Sequence, residues 1–287
     1  MQKKLAFLGP RGTFSEEAAR SLPVEKPFDY VPYPSIIEVL NAVAREEVTY
    51  GIVPIENSIE GTVNSTLDWL IHEVDLPILA ELALPITQNL LVAKREERLP
   101  LSEITRVMSH PQAIAQSFHF IREHMPQAVV ENVNSTALAA QMVSEHPEEP
   151  WAAIGTRLNA DIYPLVVAQP HIQDFSNNYT RFVLVGQEPL ALPASSREKT
   201  TILVTLPEDF PGALYQVLAA FAWRKINLSR IESRPTKKAL GSYFFVIDIE
   251  QKMDEVLLPG AFAEIEAIGC QVRQLGTYPF YMQEVNS

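Results

Sequence analysis

Residues 5–15 read Leu-Ala-Phe-Leu-Gly-Pro-Arg-Gly-Thr-Phe-Ser, a short apolar run followed by a glycine-containing turn. The run Leu5–Leu8 predicts a β-strand, and the apolar spacing over Ser15–Leu22 predicts an α-helix. The same order of strand, polar turn and helix recurs along about the first two thirds of the chain. Such alternation is typical of α/β folds whose parallel-rich sheets are covered on both faces.

A change of pattern near residue 190 predicts a second domain. Residues 189–199 are rich in proline, serine and charge, as linkers are. The elements predicted after them follow the order βαββαβ, which is the order of a ferredoxin-like fold. We therefore expect a two-lobed α/β domain over 1–190 (roughly 1–80 with 165–190, and 81–164), a linker over 191–199 and a smaller domain over 200–287.

Composition narrows the function classes. The chain has 287 residues and a formal net charge of −12, which disfavours nucleic acid or an anionic membrane as a partner, because both bind basic surfaces. No apolar run is long enough to span a bilayer, and the N-terminus predicts a strand rather than a signal peptide, so we expect a cytoplasmic protein. The single cysteine, Cys270, excludes an intrachain disulfide and is expected to be a small buried residue. The histidines lack metal-binding spacing, so no metal is expected.

Several predicted helices begin at a junction that contains Gly, Ser or Thr. A helix start exposes backbone N–H groups and the positive end of the helix dipole, and both attract anions. In an open α/β sheet these starts gather at the carboxyl ends of the strands. Ordinary helix capping explains any one junction, but their number favours an anion-binding cleft. The junctions are Gly9–Ser15, Glu56–Thr62, Ser109–Gln112, Asn134–Thr136 and Gly155–Thr156.

Two of these junctions carry more chemistry than capping requires. Glu56-Asn57-Ser58 places a carboxylate, an amide and a hydroxyl in a row at a strand end, which suits hydrogen bonding to a polar ligand. His110 precedes Pro111 at a helix start, where an imidazole is either a cap or an acid or base.

The stretch Asn178-Tyr-Thr-Arg-Phe182 leads into the apolar strand Val183-Leu-Val185. Alternation along a strand sends neighbouring side chains to opposite faces. If the backbone bends at the strand entrance, however, Thr180 and Arg181 would both border one cleft. A hydroxyl donor beside a guanidinium would suit an anionic substrate that loses a hydroxyl group.

Together these stretches resemble the monofunctional prephenate dehydratases, which have a C-terminal ACT regulatory domain. The motifs that carry the resemblance are Gly9–Ser15, Pro54–Ser58 with Gly61 and Thr62, Ser109–Ala113, Asn178–Phe182, Pro211–Leu214 and Glu232–Pro235. The resemblance implies a two-lobed, periplasmic-binding-protein-like catalytic domain followed by an ACT domain. It also implies the decarboxylating dehydration of prephenate to phenylpyruvate in L-phenylalanine biosynthesis, without metal or organic cofactor.

The resemblance further implies two sets of site residues. Thr180 would assist the departing hydroxide, Arg181 would hold a substrate carboxylate, and Glu56 or His110 could supply a proton, because a threonine hydroxyl is a weak acid. The catalytic set is Thr180, Arg181, Glu56, Asn57 and Ser58. The substrate-binding set is Thr13, Ser15, Gly61, Thr62, His110, Gln112, Ser135, Asn178 and Phe182.

For the second domain, the resemblance implies feedback regulation by L-phenylalanine. The effector would bind between paired ACT domains of a homodimer or homotetramer. Glu232 and Arg234 carry both charge signs, which suits the ammonium and carboxylate groups of an amino acid. The expected effector residues are Pro211, Gly212, Ala213, Leu214, Glu232, Ser233, Arg234 and Pro235.

Two alternatives stay open on the sequence alone. Arogenate, the aminated analogue of prephenate, is an alternative substrate. A non-catalytic cytoplasmic sensor of a small molecule is the second alternative, since two-lobed folds also bind ligands without chemistry.

Overall fold

The computed structural model describes residues 2–95, 99–207, 211–236 and 243–284. Within these ranges the chain forms strands and α-helices in alternation. The strands are β1 (Lys4–Leu8), β2 (Asp29–Tyr33), β3 (Tyr50–Asn57), β4 (Gly61–Thr62), β5 (Ile78–Pro85), β6 (Asn89–Ala93), β7 (Arg106–Ser109), β8 (Val129–Asn132), β9 (Trp151–Gly155), β10 (Leu165–Gln169), β11 (Tyr179–Gly186), β12 (Glu198–Thr205), β13 (Leu228–Pro235), β14 (Tyr243–Ile249) and β15 (Gln271–Met282). The helices are α1 (Phe14–Arg20), α2 (Ile36–Ala44), α3 (Asn64–His72), α4 (Pro111–Ala115), α5 (Phe118–His124), α6 (Thr136–Glu145), α7 (Leu158–Ile162), α8 (Ala213–Ala222) and α9 (Leu257–Ala267), and one 3-10 turn covers Leu101–Glu103.

The strands form two sheets. The larger runs in the order β13-β14-β12-β15-β5-β11-β3-β1-β2, with β4 added to β3, and the smaller runs β10-β6-β9-β7-β8. In each sheet three strands pair in parallel, β2-β1-β3 in the larger and β8-β7-β9 in the smaller. Helices of the βαβ units cover these strands, and the predicted two-lobed α/β class is confirmed.

The chain crosses between the lobes a few residues after each of the expected lobe limits. β5 stays in the larger sheet through its pairing with β11, whereas β10 pairs with β6 in the smaller sheet. The crossings are therefore residues 86–88 and 170–178. The expected lobe limits were wrong for 81–85 and 165–169, because an extended segment read in isolation does not reveal which sheet it joins.

The second domain continues the larger sheet. Its elements follow the expected βαββαβ order, although β12 already begins at Glu198, inside the predicted linker. β15 pairs in parallel with β5, which joins the two domains edge to edge. One face of the second-domain sheet packs on α8 and α9, and the other shares a core with α2 and α3, where Val246 and Leu275 pack near Leu70. Cys270 is buried, as expected.

The lobes contact each other at Gly12. Its carbonyl oxygen accepts hydrogen bonds from Thr156 Oγ1 at 2.9 Å and Asn159 Nδ2 at 3.0 Å, both on the smaller lobe. Gly12 has a φ of +84°, and an added Cβ would lie 2.0 Å from Asn159 Oδ1. Both the backbone conformation and the close approach therefore require glycine. Across the described ranges, no helix combines the length and apolarity needed to cross a membrane.

Glu17 on α1 gives the fold a predictable pH dependence. It lines a 240 Å³ hollow with Leu84, Arg157 and His171, and burial raises the pKa of its carboxyl to about 7. A folded-state pKa above the ordinary 4.5 means that its stabilisation is complete below about pH 4.5 and is lost as the pH rises through 7.

Glu17→Gln should therefore increase the free energy of unfolding at about pH 8 by about 1–3 kcal/mol and change it little at about pH 4. Urea denaturation of both proteins at the two pH values measures this difference. An equal effect at both values would show that the carboxylate is not what destabilises the fold.

Candidate active site

A cleft of about 520 Å³ lies between the two lobes and contains most of the predicted catalytic-domain residues. Both lobes line it, since Thr13 and Thr180 belong to the larger lobe and His110 and Ser135 to the smaller. The expected residues that line the cleft are Thr13, Ser15, Asn57, Gly61, Thr62, His110, Gln112, Ser135, Thr180 and Phe182.

Three helices begin at this cleft. The capping side chains Thr13, His110 and Ser135 accept hydrogen bonds from the first turns of α1, α4 and α6, at 3.4, 3.3 and 3.0 Å. Each cap satisfies one N–H group, and the other first-turn N–H groups have no partner within their helix. Capping and anion attraction therefore coexist, and the positive helix ends favour an anionic ligand in the cleft.

A β-bulge at Ile55 brings Pro54 and Asn57 to the same face of β3, where both residues line the cleft. The register of β3 and β11 pairs Glu56 with Arg181 and Pro54 with Phe182. Ile55 is thus the extra residue, and its side chain enters the core beneath the sheet. The bulge places Asn57 on the same face as Thr180, which it opposes directly.

The side-chain amide of Asn57 organises this end of the sheet. Its Nδ2 donates to Thr180 Oγ1 at 2.8 Å, Asn178 Oδ1 at 2.9 Å and the Tyr179 carbonyl at 3.2 Å. Its Oδ1 accepts from the backbone N–H groups of Ile59 at 2.9 Å and Glu60 at 3.0 Å. Because Nδ2 only donates and Oδ1 only accepts in these contacts, the orientation of the Asn57 amide is fixed.

Thr180 Oγ1 is therefore an acceptor towards Asn57, and its own proton points elsewhere. The side chain is only 8% exposed, and it lines the cleft. Among the residues that the structure describes, no acceptor for this hydroxyl proton lies within hydrogen-bonding distance. The proton is consequently available to a ligand in the cleft.

Arg181 does not border the cleft. Its side chain lies on the opposite face of the sheet from Thr180, as the alternation of strand residues requires. The guanidinium pairs with Glu56 at 2.5 Å, Glu81 at 2.7 Å and Asp248 at 2.6 Å. The expectation that Arg181 holds a substrate carboxylate is contradicted, because three protein carboxylates already surround its guanidinium.

These groups, with Lys199, form a buried interdomain charge cluster of Glu56, Glu81, Arg181, Lys199 and Asp248. Lys199 Nζ donates to Glu81 Oε1 at 2.8 Å. Burial opposes the charge of Arg181, but hydrogen bonds and charge from Glu81 and Asp248 raise its pKa above the ordinary value. Burial likewise opposes ionisation of Asp248, yet Arg181 holds the pKa of that carboxyl below its usual value. Arg181 and Asp248 therefore form a charged pair, which ties the second domain to β11.

Three other expected site residues also lie outside the cleft lining. Glu56 is held by Arg181 on the far face, so it is not a proton source for the cleft. Ser58 Oγ donates to the Asn177 carbonyl at 3.2 Å and accepts from the Tyr179 N–H at 3.0 Å. Asn178 is 2% exposed and accepts a bond from Asn57. Ser58 and Asn178 thus support the strand end rather than contact a ligand.

The sequence reasoning missed two cleft glutamines. Gln88 lies in the first crossing and Gln116 follows α4, and the two side chains are joined by a 3.2 Å hydrogen bond. Both are buried, and Gln88 Oε1 has no hydrogen-bond partner among the described residues. The only signal in the sequence for this position was that Gln88 is a polar residue between two apolar strands.

The expected effector residues Glu232, Ser233 and Arg234 alternate between the two faces of β13. Glu232 and Arg234 face the larger lobe, where Thr62 Oγ1 donates to Glu232 at 2.8 Å and Arg234 Nε donates to Asp68 at 3.1 Å. The expectation that these two charges receive an amino acid is contradicted, because both are already paired. Ser233 is exposed on the other face, and Gly212 precedes α8 with a φ of +95°.

Within the described ranges, no group of three His, Cys, Asp or Glu residues could hold a metal ion. The model of the family described as prephenate dehydratase matches residues 5–190. The chain belongs to the prephenate dehydratase family. The model of the ACT domain matches residues 200–259.

Relatives of this family resemble the chain over nearly its whole length. It is 45% identical to the prephenate dehydratase of Bacillus subtilis, across 97% of this chain and 99% of that one. It is 39% identical to the prephenate dehydratase of Methanocaldococcus jannaschii, across 98% and 100%. The crystal structure of prephenate dehydratase from Arthrobacter aurescens in complex with L-Phe superposes with a TM-score of 0.83 at 38% identity, across 96% and 90%.

The substitution Arg181→Lys tests whether Arg181 holds the charge cluster together and does not bind the substrate. Lysine keeps the charge but cannot reach three carboxylates in a planar fork, so we expect a clearly lower melting temperature, with about 3–5 kcal/mol as the limit for a broken buried pair. The KM should change little. A raised KM at an unaltered melting temperature would instead restore a substrate-binding role.

Proposed function

We propose that this protein converts prephenate to phenylpyruvate by decarboxylating dehydration, as a cytoplasmic enzyme of L-phenylalanine biosynthesis. The observation that carries the proposal is the Asn57–Thr180 pair, whose free hydroxyl proton faces a cleft entered by three helix starts. Membership of the prephenate dehydratase family supplies the substrate.

The chemistry needs a proton donor more than a base. The bond to the ring carboxylate breaks, its electron pair enters the ring, and the ring C–O bond breaks as hydroxide leaves. One proton converts that hydroxide to water, so prephenate and a proton yield phenylpyruvate, carbon dioxide and water. Aromatisation drives the reaction, and the poor leaving group limits its rate.

Thr180 suits this task because of its partner. As its proton shifts towards the leaving hydroxide, negative charge builds on Oγ1, where the Asn57 amide already donates at 2.8 Å. A donor placed before the reaction stabilises this charge in the transition state. Asn57 therefore offsets the weak acidity of a threonine hydroxyl.

His110 is the remaining candidate for resupplying the proton. Its Nδ1 accepts from the Gln112 N–H at 3.3 Å, so the neutral ring carries its proton on Nε2. Glu56, the other expected source, is held in the charge cluster. The carboxylates of prephenate then bind the helix starts and the hydroxyls of residues such as Ser15 and Ser135, which line the cleft.

Thr180→Val removes the hydroxyl and keeps the shape of the side chain. We expect kcat to fall about 10²- to 10⁴-fold, as for loss of a general acid, with KM within a few-fold of the wild type. Phenylpyruvate formation from purified protein measures both constants. Thr180→Ser should retain much of the activity, and a parallel assay with arogenate tests the alternative substrate. If the valine variant turned over at a near-normal rate, Thr180 would have no chemical role.

We also propose that residues 200–287 form a regulatory ACT domain that binds L-phenylalanine and pairs with a second copy of the chain. The ACT match and the L-Phe complex of the Arthrobacter aurescens relative support the effector. β13 is the end strand of the larger sheet among the described residues, and such an edge favours pairing. Ser233 lies on this edge strand, on the face away from the larger lobe, and Gly212 precedes α8, which packs on that face.

Ser233→Glu tests the effector site in the full chain. A carboxylate at this exposed position should repel that of phenylalanine and raise the half-inhibitory concentration at least about tenfold, with the uninhibited rate unchanged. Ser229→Glu, on the same strand outside the motif, is the matched control. The full chain is needed because deleting residues 200–287 would remove Asp248 from Arg181 and β15 from β5. Equal sensitivity of both variants would locate the effector elsewhere.

A further inference from the structure

The two faces of β13 lead to different parts of the molecule. Ile231 lies opposite Ile247, which belongs to the core under α8 and α9, whereas Glu232 lies opposite Val246, which belongs to the core shared with the larger lobe. Alternation then places Ser233 with Ile231 and Arg234 with Glu232. One short motif therefore contacts the proposed effector side with one residue and the catalytic lobe with the next.

Glu232 holds a residue of the cleft wall. Its Oε2 accepts from Thr62 Oγ1 at 2.8 Å, and Arg230 donates both to the same carboxylate oxygen and, at 3.3 Å, to Thr62 Oγ1. Thr62 and its neighbours Gly61 and Val63 line the cleft. The hydroxyl of Thr62, expected to bind substrate, is thus turned towards the second domain.

Arg234 holds the start of α3, which follows Thr62 directly. Its Nη1 donates to Asn64 Oδ1 at 2.6 Å and its Nε to Asp68 Oδ1 at 3.1 Å. The Arg234 side chain is only 16% exposed and its contact with Asp68 is partly buried, whereas Asn64 is exposed. Glu232 and Arg234 together therefore grip residues 61–68 at three side chains.

This cleft wall is held from both domains. β4 is two residues long, Gly61 has a φ of +82°, and Val63, the N-cap of α3, makes no side-chain capping bond. Within its own lobe this segment is held by the pairing of β4 with β3, by Thr66 Oγ1, which donates to the Pro54 carbonyl at 2.6 Å, and by Leu67 in the core. The start of α3 nevertheless lacks a local side-chain cap, and its residues Asn64 and Asp68 are held from the second domain.

We propose that Glu232 and Arg234 are positioning residues for the reaction. They help to fix the position of residues 61–68, of which 61–63 line the cleft, and a ligand bound on the opposite face of β13 acts on the cleft by shifting these two side chains. The inference rests on the proposed function and adds its route of regulation. On β13, Ser233 is directly adjacent to Glu232 and Arg234, and each of these two residues contacts the larger lobe by direct hydrogen bonds. Regulation by this route therefore needs no change of the whole fold.

The test compares full-length variants on either side of the contact. Glu232→Gln and Thr62→Val weaken the first link from opposite sides, and Arg234→Gln weakens the second. Arg273→Met is the matched control, because Arg273 also crosses the interface but donates to the Leu70 and Ile71 carbonyls at the other end of α3. For each protein we measure kcat and KM for prephenate, inhibition by phenylalanine, and phenylalanine binding by calorimetry.

We expect Glu232→Gln and Arg234→Gln to bind phenylalanine within about threefold of the wild type. Their inhibition should nevertheless weaken at least about fivefold, at the lower end of typical couplings between two sites. The KM for prephenate should also change in these variants, because the cleft wall is displaced. The double variant of Glu232→Gln and Thr62→Val should be no worse than the more affected single variant, since both remove one contact. Arg234→Lys should restore part of the coupling, and Arg273→Met should match the wild type.

Three results would overturn the inference. If phenylalanine binding falls in parallel with inhibition, Glu232 and Arg234 are effector ligands. If all variants are inhibited like the wild type, signals reach the cleft by another route. If Arg273→Met weakens inhibition by phenylalanine as strongly, any contact between the domains can transmit the signal. A wild-type protein that makes no phenylpyruvate would instead refute the proposed function itself, and is recognised before any variant is compared.

Discussion

The alternation of side chains along β11 is the constraint on which both domains depend. It sends Thr180 into the cleft and the next residue, Arg181, into the buried charge cluster with Asp248. The residue proposed for chemistry and a residue that joins the two domains are thus consecutive on one strand. A single peptide unit therefore separates the cleft from this contact between the domains.

The same alternation leaves the cleft without a lysine or arginine among its described lining residues. Positive potential must then come from the helix starts at Thr13, His110 and Ser135. Such partial charges attract a dianion without gripping either carboxylate as a guanidinium fork would. For a reaction that expels one carboxylate as carbon dioxide, a weaker grip avoids stabilising the ground state.

The sequence predicted what local patterns determine. Strand and helix order, the helix starts and the position of Thr180 at a strand end follow from periodicity and capping chemistry. The predictions from sequence failed where the role of a residue depends on a partner that is distant in sequence. Arg181 was assigned to the cleft because its three carboxylates lie 67 to 125 residues away. Glu232 and Arg234 were assigned to a ligand for the same reason, since Thr62 and Asp68 supply their partners. The β10 segment was placed in the wrong lobe because its pairing with β6 leaves no local mark.

The unpaired Ile55 sets a rule for how this strand can evolve. Removing one residue between Pro54 and Asn57 would give β3 a regular ladder with β11, an improvement by local criteria. It would leave Glu56 opposite Arg181 and Asn57 opposite Thr180, because the bulge already absorbs the extra residue, but it would take the buried side chain of Ile55 out of the core. The length of this stretch is therefore set by what Ile55 packs against, and not by the pairing of the two strands.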